Sequence, residues 1–181
     1  MNTFKILAAI AVTLSPFALT GAAFAAGGHP GGHGAAAYGE PGSKAKVTRT
    51  VEVVMRDNRY EPETISVKAG ETVRFVVKNE GGLVHEFQIG TPDSIEEHAS
   101  MMLMMVEHGV LEADRINYDV GKSMQESMGH GTHDEPNSVL LEPGKSGEVV
   151  WTFPEQGEIE FACTVPGHYE SGMVGEFNLN R

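Results

Sequence analysis

A short stretch near the C-terminus, Phe161-Ala162-Cys163-Thr164-Val165-Pro166-Gly167-His168-Tyr169-Glu170-Ser171-Gly172-Met173, gathers three donors that bind metals. A strand would deliver Cys163, the Pro166-Gly167 turn would bring back His168, and a second turn would bring back Met173. A thiolate, an imidazole and a thioether on one loop form a soft, mixed N/S donor set. That set suits copper, and a weak axial thioether is what a type 1 centre needs. A second imidazole must come from elsewhere in the fold. His85, in Val84-His85-Glu86-Phe87 just after the Gly81-Gly82 turn, is the candidate. His85, Cys163 and His168 would then form a trigonal plane with Met173 along its axis. The charge of the metal would keep Cys163 as a thiolate, and ligands fixed by the fold would rearrange little between Cu(I) and Cu(II).

Cys163 is the only cysteine, so no internal disulfide can form. In an exported chain a single thiol is a liability unless it is buried or metal-bound. An inert buried cysteine is the plain alternative, and the neighbouring donors weigh against it. Cys163 with His168 could also suggest a thiol hydrolase, but the adjoining Met173 and the β context favour copper. The sequence has no Gly-rich phosphate loop, no His-Glu-x-x-His helix and no nucleophilic serine motif, so an enzyme is not expected.

The elements that must position these residues read as short strands bounded by turns. Thr50–Met55, Thr64–Val67, Thr72–Val77 and Val84–Ile89 fill the first half, with Ala69-Gly70 and Gly81-Gly82 as turns. Ser138–Leu141, Glu148–Phe153, Ile159–Cys163 and Val174–Leu179 fill the last third. Short strands with frequent turn signals predict an all-β, Greek-key β-sandwich. Between the halves, about residues 91–137 form an insertion. Ser94-Ile95-Glu96-Glu97 predicts a capping box opening a helix that runs to about Glu107 and stops at Gly109; a polar loop is expected after it.

The N-terminal part predicts export. Met1–Lys5 is a short cationic start, Ile6–Leu19 is largely apolar, and Ala23-Phe24-Ala25 offers small residues for cleavage, so residues 1–25 read as a signal peptide. Residues 26–44, rich in Gly and Ala with His29 and His33, read as a flexible tail, and residues 45–181 as the folded domain. The location expected is the periplasm, with no membrane insertion after cleavage. The formal net charge is −12, and residues 1–25 carry one lysine and no acid. Such a surface repels nucleic acid and anionic lipid and favours cations or a basic partner.

The spacing of Cys163, His168 and Met173, with Pro-Gly before the histidine, resembles the cupredoxin (plastocyanin/azurin) superfamily, its ligand loop being most like that of rusticyanin. The stretch Val67-Lys68-Ala69-Gly70-Glu71-Thr72-Val73 also fits that family. The resemblance covers roughly residues 45–181 and implies one type 1 copper. Many cupredoxins carry Asn after the first histidine ligand, where it ties two ligand loops together; this chain has Glu86. With its His- and Met-rich additions the chain is also similar to bacterial periplasmic copper-tolerance cupredoxins.

Met101, Met102, Met104, Met105, Met124 and Met128 fall in the insertion, with His98, His108, His130 and His133. On a helix, His98, Met101, Met102 and Met105 share one side. That stripe reads either as core packing or as additional, weak copper sites. Loss of Ala26 would expose Gly27-Gly28-His29, whose amino group, amides and imidazole could encircle Cu(II). Three readings of function follow. The first is copper tolerance, with copper ions as partner and one-electron transfer at the type 1 centre. The second is a soluble electron carrier that meets a redox partner protein, and the third is a Cu(I) oxidase.

Overall fold

The computed structural model describes residues 35–129, 131 and 133–180. The expected signal segment, His29, His33, the Gly27-Gly28-His29 motif and His130 lie outside the described residues. In chain order the elements are α1 (Ala35–Tyr38), β1 (Glu40–Pro41), β2 (Arg49–Arg56), β3 (Arg59–Glu61), β4 (Thr64–Lys68), β5 (Thr72–Asn79) and β6 (His85–Gly90). Then come α2 (Pro92–Glu107), α3 (Tyr118–Met128), β7 (Ser138–Leu141), β8 (Ser146–Thr152), β9 (Glu160–Ala162) and β10 (Val174–Asn180).

The strands form two five-stranded sheets, ordered β1-β8-β5-β2-β3 and β4-β10-β9-β6-β7. Most neighbours are antiparallel, but β2 runs parallel to β5 and β4 parallel to β10. Sequence-adjacent strands thus often lie in different sheets, as the expected sandwich requires. Alternation decides which face turns inward. In β4 only Ile65 and Val67 are buried, and in β10 Gly175 and Phe177 alternate with exposed Glu176 and Asn178. The core between the sheets is largely aromatic. Phe75 meets Phe87 at 5.4 Å and Phe177 at 5.7 Å, while Phe161 meets Phe177 at 4.9 Å and Tyr60 at 5.0 Å, most of them tilted or edge-on. Such pairs add to the stabilisation from burying their area.

β6 differs from the other strands in being buried at every position. One face looks into the aromatic core and the insertion covers the other, with α2 packed on β6. The Val84 amide donates to Ala113 O at 2.7 Å, and Asn137 exchanges bonds with Ile89 through both its amide side chain and its carbonyl.

Three expectations need correction. The α2 N-cap is Thr91 rather than Ser94: the Thr91 side chain accepts from the Ser94 amide, Ser94 Oγ accepts from the Thr91 amide, and Pro92 opens the first turn. Proline is tolerated there because its missing N–H would have no partner in the helix. Next, the polar stretch after Gly109 contains a second helix, α3, with Asn117 as N-cap and Gly129 left-handed at φ 77° as C-cap. It is held by close packing rather than by helix propensity, since a Cβ on Gly121 would lie 2.5 Å from Gly131 O. Finally, the flexible tail does not extend to residue 44. β1 pairs with β8, Tyr38 stacks on Trp151 at 5.6 Å, and Trp151 Nε1 donates to Tyr38 O at 2.7 Å. The buried indole N–H needs an acceptor, and this segment supplies it.

Among the described residues no helix is long and apolar enough to cross a membrane.

Candidate metal centre

Three adjacent strands, in the order β10-β9-β6, bring the predicted ligands to one end of the sandwich. His85 is the first residue of β6, Cys163 follows the last residue of β9, and Met173 precedes the first residue of β10. The register of Ala162 with Gln88 on one side and Val174 on the other places these strand ends side by side. The loop between Cys163 and Met173 is tied across its mouth. The Cys163 amide donates to Met173 O at 3.1 Å, the Met173 amide to His168 O at 3.0 Å, and the His168 amide to Val165 O at 2.9 Å. Gly167 and Gly172, at φ 88° and 91°, make the two turns.

His85 Nδ1 lies 3.2 Å from His168 Nδ1 and 3.9 Å from Cys163 Sγ, and His168 Nδ1 lies 3.3 Å from the same sulfur. Donors that share one small cation through bonds of about 2 Å stand about 3.5 Å apart, so the triangle fits. His85, Cys163 and Met173 are fully buried and His168 is half-buried. Met173 is bracketed by its backbone bonds to Cys163 and His168. Burial pushes the Cys163 thiol up to about 12, so a thiolate at neutral pH calls for a cation beside it. Burial, followed by the neighbouring His85, lowers the pKa of His168. That favours the neutral imidazole, the form that binds metals.

Asp57 orients His85. This residue, in the β2–β3 turn, carried no signal in the sequence. His85 Nε2 donates to Asp57 Oδ1 at 3.0 Å, which leaves the Nδ1 lone pair facing Cys163. The hydrogen bond from His85 holds the Asp57 carboxyl below its ordinary range. The Gly82 amide also donates to Asp57 Oδ1, at 2.9 Å. Gly81 permits this approach, because a Cβ there would fall 2.5 Å from Asp57 Oδ1 and 2.8 Å from His85 Nε2.

Glu86, which stands where many cupredoxins have Asn, also links two loops. Its amide points at Cys163 Sγ across 3.3 Å, and its Oε2 accepts from the amide and hydroxyl of Thr164. Its Oε1 faces the insertion, 2.9 Å from His98 Nε2 and 2.6 Å from His133 Nε2. Full burial pushes the Glu86 carboxyl up, but the bonds from His133 and then His98 outweigh it and hold the carboxyl far below its usual range. Burial likewise lowers His133, and the Glu86 bond reverses this, leaving it raised. The methionines mostly pack: Met102, Met105 and Met124 belong to the core, Met104 lies against it, and Met128 is exposed.

The family model for a cupredoxin-like domain matches residues 23–125, more than half of the chain. That match ends before the Cys163 loop. A copper-resistant cuproprotein CopI from Pseudomonas aeruginosa is 47% identical over 154 residues, covering 79% of this chain and 82% of its own. The CopI of Rubrivivax gelatinosus is 43% identical over 152 residues, covering 82% and 78%. Among solved structures, auracyanin B superposes with a TM-score of 0.56 at 23% identity, covering 81% of this chain and all of its own, a likeness of fold alone. With the sandwich, the ligand loop and these relatives in agreement, the chain belongs to the cupredoxin family and is related to the copper-resistance cuproproteins.

Proposed function

We propose that this is an exported copper-binding protein of copper tolerance, acting in the periplasm, with His85, Cys163, His168 and Met173 as the ligands of one type 1 copper. The convergence of two Nδ1 atoms and one Sγ within 3.9 Å carries the reading. The relatives named for copper resistance support the tolerance role. Bound copper would supply a one-electron couple. The protein's part is to hold two imidazoles, a thiolate and a thioether in fixed positions, so that little reorganises when the charge changes. His85 is locked by Asp57, Cys163 by the Glu86 amide, and the loop by its own backbone bonds. A carrier rather than an enzyme is the role this arrangement supports.

His168 is the least buried of the four residues, and it marks where an electron would enter or leave. Between α2 and the ligand loop lies a groove of about 520 Å³ lined by Ile95, Leu103, Pro166 and Tyr169 together with the carboxylates Asp93, Glu96 and Glu170, with Leu103 and Tyr169 exposed. This feature favours a second reading, a soluble electron carrier that docks a redox partner beside the ligand loop. Deleting the gene in its own host separates the two. Copper sensitivity with normal respiration supports tolerance, whereas impaired respiratory electron flow at ordinary copper supports the carrier.

A further inference from the structure

Glu86, His98 and His133 form a second cluster whose ligand atoms all lie within 4.8 Å of one another. His98 and His133 come from α2 and the loop before β7, and their Nε2 atoms are 3.2 Å apart. All three side chains are nearly enclosed, with 0%, 8% and 5% exposure for Glu86, His98 and His133. Both imidazole nitrogens face the same carboxylate oxygen and also face each other. If both carry protons, two N–H groups crowd together; if one does not, it is a poor partner for the carboxylate. A cation at the centre would satisfy all three lone pairs at once.

We propose that these residues hold a second metal ion, a borderline divalent cation of the copper(II) or zinc(II) class, in a site separate from the Cys163 centre. One carboxylate and two imidazoles are an N/O donor set, which selects such cations over Cu(I), and among divalent ions copper(II) binds most tightly. Bonds of about 2 Å would open the triangle by roughly half an ångström. The surroundings match what metal sites need. Glu86 Oε2 is held by Thr164, leaving Oε1 for the ion. Glu135 Oε2, buried and without a hydrogen bond, lies 3.5 Å from His133 Nδ1, a carboxylate close behind the imidazole on the side away from the cluster. A cavity of about 150 Å³ lies against one member of the cluster, lined by His133 with Asp134, Met105 and Tyr118. A purely structural ion pair would not need the second imidazole, and buried ion pairs by themselves add little net stability.

The test compares the full chain with a double variant, His98→Gln and His133→Gln, in titrations with copper(II) alone, followed by EPR, optical spectra and metal analysis. The wild-type chain should bind one equivalent more than the variant. The extra ion should show a wide copper hyperfine splitting and no intense visible band. Copper held by the N-terminal segment is common to both chains and cancels. The variant should keep the intense band of the Cys163 centre, which shows that it has folded. Equal stoichiometry in a folded variant would overturn the proposal, leaving a structural clasp. If the variant does not fold, crystals of the wild-type chain soaked in copper(II) decide: an anomalous peak among the three side chains supports the site, and its absence overturns it. Failure of the first centre would read differently, as loss of the intense band with the extra equivalent retained.

Discussion

The backbone amide of Glu86 points at the sulfur of Cys163 across 3.3 Å, while the carboxylate of the same residue engages His98 and His133 in the insertion. One residue of β6 thus joins the end of the sandwich that carries the ligand loop to the helix and loop packed outside it. The amide offers a hydrogen bond that tempers the charge of a thiolate, and the side chain fixes where the insertion sits. These two functions belong to different atoms, so substitution can separate them.

Glu86→Gln keeps the amide and removes the buried charge. The fold should lose about 3 kcal/mol, because breaking a buried ion pair strands its partners. The intense visible band of the copper(II) form should remain. Denaturant melts and absorption spectra of the variant check both parts, and loss of the band would contradict the separation.

Asp57→Ala should weaken copper binding about 10- to 100-fold, the usual effect of removing a carboxylate that orients a metal-bound imidazole. Stability without metal should fall by about 1–3 kcal/mol as well, because the buried His85 then loses the acceptor of its Nε2–H. A competition titration against a chelator of known affinity measures the change.

Tyr38→Ala should destabilise the fold by about 1–2 kcal/mol through loss of the ring stack on Trp151. Removing residues up to Pro41 should cost more, because Trp151 Nε1 then loses its acceptor and remains buried. Thermal melts of the shortened and full-length chains would show it; equal melting temperatures would return this segment to the role of a tail.

Glu71 provides a pH test away from both clusters. It accepts from Thr48 Oγ1, Arg49 Nε and the Lys68 amide, at 3.0, 2.8 and 2.9 Å. Partial burial pushes its carboxyl up, but these bonds, led by Arg49, win and hold it below the ordinary range. A depressed folded pKa contributes stability above the unfolded value that is lost as pH falls through the folded one. Glu71→Gln should therefore cost on the order of 1 kcal/mol at pH 7, and the gap should close as the buffer is taken below the ordinary carboxylate range. Paired denaturant curves across that window measure it, and a gap independent of pH would exclude the ionised form as its source.

The strands were legible because burial alternates along them and glycine turns separate them. The ligand loop was legible because Cys163, His168 and Met173 lie so close in sequence. Asp57 and the Glu86 cluster were not, since their partners lie far along the chain and only pairing across the sheets brings them together. His98 and His133 read as members of methionine-rich stretches, when their actual partner was the carboxylate noted as a departure from the family pattern. The start of α2 was misplaced by three residues because Ser94 and Glu97 imitate a capping box, while Thr91 and Ser94 make the true one, with Pro92 in the first turn. The helix α3 stayed hidden behind Gly121, a residue poor in helix propensity that the packing against Gly131 requires.

The most direct measurement is the absorption spectrum of the purified chain with one equivalent of copper(II), beside that of Cys163→Ser. An intense sulfur-to-copper band in the wild-type chain, absent from the variant, is the predicted result. A wild-type spectrum without that band, or one that survives the loss of the thiol, would contradict the centre built from His85, Cys163, His168 and Met173.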